Sequence, residues 1–162
     1  MSRITIPAII ISCLVVIGAA FRPLQIVTVA LPKENDRRIA AVRVSGDDMI
    51  SLSYRHSVEL TAVEGRFKVG PESEILAVET RMESVGTGLP NAFPERTKTE
   101  NGWLVVDERL RPVGPIRFFV VPINKTRLVI AGRLIDLMNL KAGSLVQVSA
   151  ERMFLIAWLW NA

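Results

Sequence analysis

One short segment of this 162-residue chain contains most of the side chains that could do chemistry. The only histidine of the chain, His56, is preceded by Arg55 and followed by Ser57 and Glu59. An imidazole, a hydroxyl and a carboxylate are the groups of a serine hydrolase, in which the imidazole accepts the hydroxyl proton. Adjacent side chains of a strand point to opposite faces, so His56 and Ser57 cannot form that hydrogen bond within a strand. A turn or bulge near Ser57 would instead direct these groups toward a common point.

A glycine loop at residues 84–90 is the second segment of interest. It has a serine, two glycines and a proline, which are Ser84, Gly86, Gly88 and Pro90. The loop is too short for a phosphate-binding signature and lies outside any strand–loop–helix unit. Ser84 lacks the Gly-x-Ser-x-Gly context of a nucleophile elbow, so we assign no catalytic residue and predict that the protein is not an enzyme. The loop amides could still bind an anion, with support from Arg55 or Arg81.

Metal, cofactor and nucleic-acid chemistry lack the residues that they need. His56 with Glu59 and Glu64 could contact a metal ion, but no spacing typical of a metal site occurs. The single cysteine, Cys13, rules out cysteine-rich zinc clusters. The net charge of +4 is spread along the chain, and the single tyrosine leaves no basic and aromatic interleaving. We therefore predict no metal, no cofactor and no nucleic-acid partner.

The chain begins with a hydrophobic segment, because residues 4–21 contain no charged side chain. As a helix this run would be about 27 Å long, just enough to cross the hydrocarbon core of a bilayer. We predict that residues 1–22 are a signal peptide or membrane anchor and that residues 23–162 form a single extracytoplasmic domain. An anchor retained in the inner membrane is the favoured prediction. Cleavage near Ala20, after small residues, would instead release the domain into the periplasm.

After Phe21 the hydrophobic pattern changes to a period of two with frequent turn residues, which is typical of short antiparallel strands. We predict strands at residues 24–31, 39–44, 49–56, 67–69, 75–82, 103–106, 116–121, 127–131 and 145–150. We also predict one helical turn at 135–140 and a long loop at 86–102. This count favours an all-β protein, an antiparallel β-sandwich or small barrel with an N-terminal transmembrane or signal helix.

Two segments allow alternatives. If residues 49–60 form one unbroken strand, His56 lies on the apolar face with Tyr54 and Val58 and is a core histidine. The aromatic-rich tail, residues 153–160, is either a last strand or short helix that completes the core, or a segment that contacts a membrane interface or a protein. Tryptophan favours such interfaces.

The two motifs together resemble a known bacterial family. His56-Ser57-Val58-Glu59 with Glu64, and then Ser84-x-Gly86-x-Gly88-Leu89-Pro90, are similar to the family named domain of unknown function 1850. The resemblance covers residues 25–150. Its members are short, begin with a hydrophobic segment and are often encoded beside TRAP transporters of the TAXI class. The resemblance implies an association with tripartite uptake of organic anions, and it brings no catalytic residues with it.

We therefore predict a membrane-tethered accessory, a binding or interaction module that contacts the solute-binding protein or the permease of a TRAP-type system. The candidate binding or motif residues are Arg55, His56, Ser57, Glu59, Glu64, Ser84, Gly86, Gly88 and Pro90. The family could equally share these residues because they stabilise the fold. The alternatives are a small hydrolase-like enzyme that uses His56 as a general base near Ser84, and a purely structural envelope protein.

Overall fold

The alternation of β-branched and polar residues produces a fold made almost entirely of strands. The structure, a computed structural model, describes residues 18, 20–84 and 94–160. The predicted anchor at residues 4–21 lies mostly outside the described residues, and so do Gly86, Gly88 and Pro90. Within the described ranges, no helix is both long enough and apolar enough to span a bilayer.

The described residues form eleven strands and one α-helix. In chain order these are β1 (Pro23–Leu31), β2 (Arg37–Val44), β3 (Met49–Arg55), β4 (Ala62–Val69), β5 (Ile75–Met82), β6 (Thr97–Glu100), β7 (Trp103–Pro112), β8 (Ile116–Phe119), β9 (Arg127–Ile130), β10 (Arg133–Ile135), β11 (Leu145–Phe154) and α1 (Leu155–Trp160). Single turns of 3-10 helix occur at Pro32–Glu34, Pro94–Arg96 and Pro122–Asn124.

The strands are arranged in two antiparallel sheets. A four-stranded sheet has the order β2-β1-β11-β8, and a seven-stranded sheet has the order β10-β9-β3-β4-β5-β7-β6. The main core combines residues of both sheets, so the sheets face each other across it. The all-β prediction is confirmed for the described residues, and the arrangement is a sandwich rather than a barrel.

The main core is built from side chains on the inward face of each strand. Its fully buried members are Val27, Val29, Leu31, Val146 and Val148 of the four-stranded sheet and Ile50, Leu128 and Ile130 of the other. Burying one such side chain stabilises a fold by about 1.5–3 kcal/mol. A second, smaller cluster continues along the seven-stranded sheet, with Val63, Met82 and Val106 buried beside Tyr54 and Leu104.

Two strands that the sequence interpretation missed lie in or beside segments predicted as a loop and as a helical turn. The predicted loop 86–102 includes β6, which pairs with β7 through a turn at Asn101-Gly102. The segment 135–140, predicted as one helical turn, is not helical, and Ile135 ends β10, which pairs with β9 after a turn at Ala131-Gly132. The second half of this segment is a single hydrogen-bonded turn, in which the amide of Leu140 donates to the carbonyl of Leu137 at 3.2 Å. All four residues of the two hairpin turns have positive φ, between 48° and 82°. Two left-handed residues in succession give the twist that a two-residue hairpin needs.

Two alternatives are also decided. The unbroken strand at 49–60 is wrong, because β3 ends at Arg55 and residues 57–59 form a turn. The tail continues β11 to Phe154 and then forms α1, in which no residue is buried. The prediction that the tail completes the core is therefore wrong for α1, and its apolar side chains remain at the surface.

Candidate functional site

The first predicted motif forms a closed turn between β3 and β4, and we call residues 56–60 the motif turn. The amide of Leu60 donates to the carbonyl of His56 at 2.9 Å, and the amide of His56 donates to the carbonyl of Thr61 at 2.8 Å. Leu60 adopts the left-handed conformation, with φ 56°. Arg55 Nε then donates to the Leu60 carbonyl at 2.7 Å. The turn is therefore held by its own backbone and by the last side chain of β3.

The imidazole of His56 takes part in this turn. Its Nδ1 accepts a hydrogen bond from the backbone amide of Glu59 at 3.3 Å, and the ring is half-buried. Ser57, Val58 and Glu59 are exposed at the tip, and Val58 keeps 78 % of its surface accessible. The chain does turn at Ser57, as the turn alternative predicts, and the contact that this turn makes with the His56 ring comes from the backbone amide of Glu59.

A shallow depression of about 410 Å³ lies beside the motif turn. It is lined by Ser53, Tyr54, Arg55, Leu60, Ala62, Glu83 and Lys125. Arg55 and Lys125 bring positive charge to it and Glu83 brings negative charge. Burial raises the pKa of the Tyr54 phenol above its ordinary value of 10.0.

At the end of the β4–β5 ladder, the carboxylate of Glu83 takes the place of a backbone carbonyl as the hydrogen-bond acceptor. Glu83 Oε2 accepts from the amide of Ala62 at 2.8 Å, while the amide of Glu83 donates to the carbonyl of Ala62 at 3.1 Å. Met82 is opposite Val63, so the chain leaves the ladder just after this pair. Ser84 is the next residue, and it lies at the same end of the sheet as the motif turn. We call this end of the sandwich the motif end.

One side chain at the motif end is polar and unpaired. The Oγ1 atom of Thr61 is buried and has no hydrogen-bond partner among the described groups. Thr61 lies between His56 and the end of β5. The amide of His56 donates a hydrogen bond to the carbonyl of Thr61. The two motif residues His56 and Ser84 thus come to the same end of the seven-stranded sheet, on either side of the strand that begins beyond Thr61.

Glu64, the remaining described candidate, belongs to a different group. Its carboxylate accepts from Ser51 Oγ at 2.8 Å and from Arg66 Nε at 3.0 Å on the outward face of the seven-stranded sheet. Burial acts to raise the pKa of Glu64, but the hydrogen bonds from Arg66 and Ser51 and the charges of Arg66 and Arg81 outweigh it, and the pKa is lowered. Glu64 therefore stabilises the sheet and does not join the motif turn.

The same outward face continues as a row of alternating charges, which we call the charge ladder. Its members are Glu64, Arg66, Glu79, Arg81, Glu100 and Lys98. Arg81 lies 3.6 Å from Glu79 and 3.7 Å from Glu100, so it is already engaged by two carboxylates. Cross-strand pairs of opposite charge stabilise a sheet modestly, by about 0.2–1 kcal/mol each. Of the two arginines considered as anion ligands, only Arg55 lies at the motif end.

Three residues of the motif end were not predicted. Glu83 had a usable signal, because it directly follows the predicted strand 75–82 and antiparallel pairing places it beside the start of the preceding strand. Thr61 and Lys125 had none, since Lys125 reaches the depression only through the pairing of β9 with β3. Among the described residues, no three His, Cys, Asp or Glu side chains lie close enough to hold a metal ion.

Comparison with known families identifies the chain as a member of one of them. Residues 50–137, more than half of the chain, match the family model of the domain of unknown function DUF1850. The chain belongs to this family. The matched segment contains the whole motif end and excludes β1, β2, β11 and α1. Neither a curated protein nor a solved structure matches the chain.

Proposed function

We propose that this protein is a membrane-tethered, extracytoplasmic interaction module that serves a TRAP-type system for the uptake of organic anions. Its motif end contacts the solute-binding protein or the permease. The observation that carries this proposal is Val58, which is 78 % exposed at the tip of a turn that is held by its own hydrogen bonds. A rigid turn with an apolar tip and charged neighbours is suited to a protein interface.

The shape of the motif end favours a protein partner over a small ligand. Sites for small molecules are usually concave and enclose most of the ligand surface. The depression beside the motif turn is instead open and shallow, and it lies next to a projecting apolar side chain. Arg55, Glu83 and Lys125, which line this depression, would form a charged rim next to the turn that carries Val58. Such a rim directs association and excludes wrong partners.

Membership of the DUF1850 family supports the choice of partner. The resemblance to members encoded beside TRAP transporters of the TAXI class points to the solute-binding protein or the permease. The uncharged run at residues 4–21 supports a tether in the inner membrane. A domain held there on its outer side would meet both candidate partners.

A hydrolase remains the second candidate, because His56 and Ser84 come to the same end of the sheet. The imidazole Nδ1 of His56 is occupied by the Glu59 amide, which leaves Nε2 as the general base. Labelling of the purified protein by a fluorophosphonate probe, and its loss in Ser84→Ala, would favour this candidate. A third candidate, a purely structural envelope protein, predicts neither labelling nor a transporter partner.

Co-purification from membranes tests the interaction module. The tagged full-length protein is recovered in mild detergent, and the transporter components that accompany it are identified and quantified. Val58→Asp places a charge at the tip of the motif turn, and we expect about tenfold less partner, equivalent to about 1.4 kcal/mol. Recovery of the wild-type protein without any transporter component would contradict the proposal.

Leu110→Asp is the matched control for that experiment. Leu110 is 53 % exposed on β7, towards the end of the strand away from the motif turn. Its φ of 53° suits aspartate better than leucine, so the substitution keeps the fold. We expect Leu110→Asp to recover as much partner as the wild type. An equal loss with both variants would indicate a general effect of charge and not a contact at Val58.

A further inference from the structure

The two termini of the domain meet at the end of the sandwich opposite the motif end, which we call the terminal end. The rings of Phe21 and Phe154 are 5.9 Å apart in an edge-to-face arrangement. The amide of Leu155 donates to the carbonyl of Arg22 at 3.1 Å. Helix α1 therefore begins beside the point where the uncharged run of residues 4–21 enters the domain.

Helix α1 presents an apolar surface that the described part of the domain covers only in part. Leu155, Ala157 and Trp158 are half-buried, and the other three residues are exposed. Its six residues are Leu155, Ile156, Ala157, Trp158, Leu159 and Trp160, and none of them is buried. Leu159 is 63 % exposed and Trp160 is 89 % exposed. A helix that is apolar on all sides is normally buried in protein or lipid, and a contiguous apolar patch usually marks an interaction surface.

Three arginines surround a depression of about 430 Å³ at the same end. Arg22 follows Phe21, Arg43 lies on β2, and Arg152 is two residues before Phe154. No carboxylate is among the described residues that line the depression. Arg152 also donates to the carbonyl of Pro71, which fixes its position. Guanidinium groups recognise phosphate oxygens with strong, directional hydrogen bonds.

We propose that the terminal end lies on the surface of an anionic phospholipid membrane. The side chains of α1 and Phe154 insert between lipid headgroups, and Arg22, Arg43 and Arg152 contact the lipid phosphates. Tryptophan prefers the boundary between headgroups and acyl chains, and basic residues beside an apolar segment strengthen binding to anionic lipids. A bilayer that holds residues 4–21 would bring its surface to Phe21, and therefore to α1.

This contact is independent of the partner contact at the motif end. Gln25 Nε2 donates to the carbonyl of Gly70 at 2.6 Å, so the terminal end adjoins the end of β4 that lies away from the motif turn. Strand β4 separates the two ends by about 23 Å at 3.3 Å per residue. Trp103 lies at the motif end, since the next residue, Leu104, is opposite Met82. The protein thus carries one tryptophan far from the proposed membrane surface and two tryptophans on it.

Quenching of tryptophan fluorescence by brominated phospholipid tests the proposal. The full-length protein is reconstituted into phosphatidylcholine vesicles that contain phosphatidylglycerol, with and without bromine on the acyl chains. We expect strong quenching in the wild type and in Trp103→Phe, and loss of nearly all quenching in the double variant Trp158→Phe/Trp160→Phe. Equal quenching in the two variants, or none in the wild type, would overturn the proposal. Emission that is blue-shifted but unquenched would show that a second copy covers α1, and would also overturn it.

The charge of the lipid tests the role of the arginines. In vesicles with phosphatidylglycerol, we expect Arg22→Gln/Arg43→Gln to reduce the quenching to the level found in phosphatidylcholine alone. The same variant should quench as the wild type does in phosphatidylcholine alone, and its circular dichroism should match that of the wild type. Unchanged quenching of the variant in anionic vesicles would overturn the assignment of the phosphate contacts. Neither quenching experiment depends on the co-purification of transporter components. This proposal and the proposed function can therefore fail separately.

Discussion

The motif end and the terminal end of this sandwich differ in almost every physical property. The motif end has an apolar tip and charges of both signs, is closed by backbone hydrogen bonds and lies wholly inside the segment that matches the DUF1850 family model. The terminal end combines exposed aromatic and aliphatic side chains with arginines and lies mostly outside that segment. Two surfaces of different composition are therefore held about 23 Å apart by one set of strands. The difference suggests one contact with protein and another with lipid.

The core that both ends share gives the largest predicted effect. Leu128 on β9 is fully buried in the main core, and Leu128→Ala is expected to lower the free energy of unfolding by about 3 kcal/mol. The loss should appear equally at both ends. Urea unfolding in mild detergent, followed through Trp103 in one background and through Trp158 and Trp160 in another, measures this.

The matched control is Leu134→Ala on β10, where the side chain is 61 % exposed. We expect a change within about 0.5 kcal/mol for this variant, because little buried surface is lost. If Leu128→Ala shifted the unfolding of one end only, the two ends would be separate cooperative units. That result would contradict a core shared by both ends.

A side chain that belongs to the terminal end alone gives an intermediate effect. Gln25→Ala removes the 2.6 Å hydrogen bond to the Gly70 carbonyl, and we expect a loss of about 1 kcal/mol. Hydrogen exchange should quicken for amides at the start of β1 and stay unchanged for the amides of His56 and Leu60. Gln147→Ala, which removes an exposed contact with Arg117, is the control and should cost less. Faster exchange in the motif turn of Gln25→Ala would contradict the independence of the two ends.

The charge ladder near the motif end gives the smallest effect, and it depends on pH. The pKa of Glu64 is lowered in the folded protein, so its ionised form stabilises the fold above its ordinary pKa of 4.5. This contribution begins to fall when the pH drops below 4.5, and it is gone once the pH has passed the lowered pKa of Glu64 in the folded state. We expect Glu64→Gln to cost about 0.5 kcal/mol at neutral pH, after allowance for solvent screening, and to converge with the wild type on acidification.

Urea unfolding at several pH values checks this prediction. Glu34→Gln, which removes an exposed ion pair with Arg37, is the control. A difference between wild type and Glu64→Gln that grows as the pH falls would be opposite in sign to the prediction.

Much of the fold could be predicted from the sequence because the hydrophobic period is local information. The predicted strand at 75–82 coincides with β5, and the predicted strand at 24–31 differs from β1 by one residue. The hairpin at Asn101-Gly102 was missed although this dipeptide is a strong hairpin signal. The composition of the surrounding residues, with several polar groups and prolines, favoured a loop instead. Tertiary pairing with β7 decided the conformation of β6.

The candidate site was predictable only in part. The sequence allowed either a core histidine on a long strand or a turn near Ser57, and the left-handed Leu60 decides for the turn. The family resemblance grouped Glu64 with the motif, whereas β4 directs that carboxylate to Ser51 and Arg66. Glu83 and Lys125 come from other strands and loops. Their positions depend on sheet register, which no single segment contains.

The sequence by itself determined the class of fold and the family, because strand periodicity and short motifs are written within a few residues. It also located the apolar runs near the two termini. Only the tertiary structure decided that the termini meet at one end with three arginines, and that His56 and Ser84 both lie at the other end. The physical reason is that antiparallel pairing joins residues far apart in sequence, and the register of each pair sets which side chains share an end.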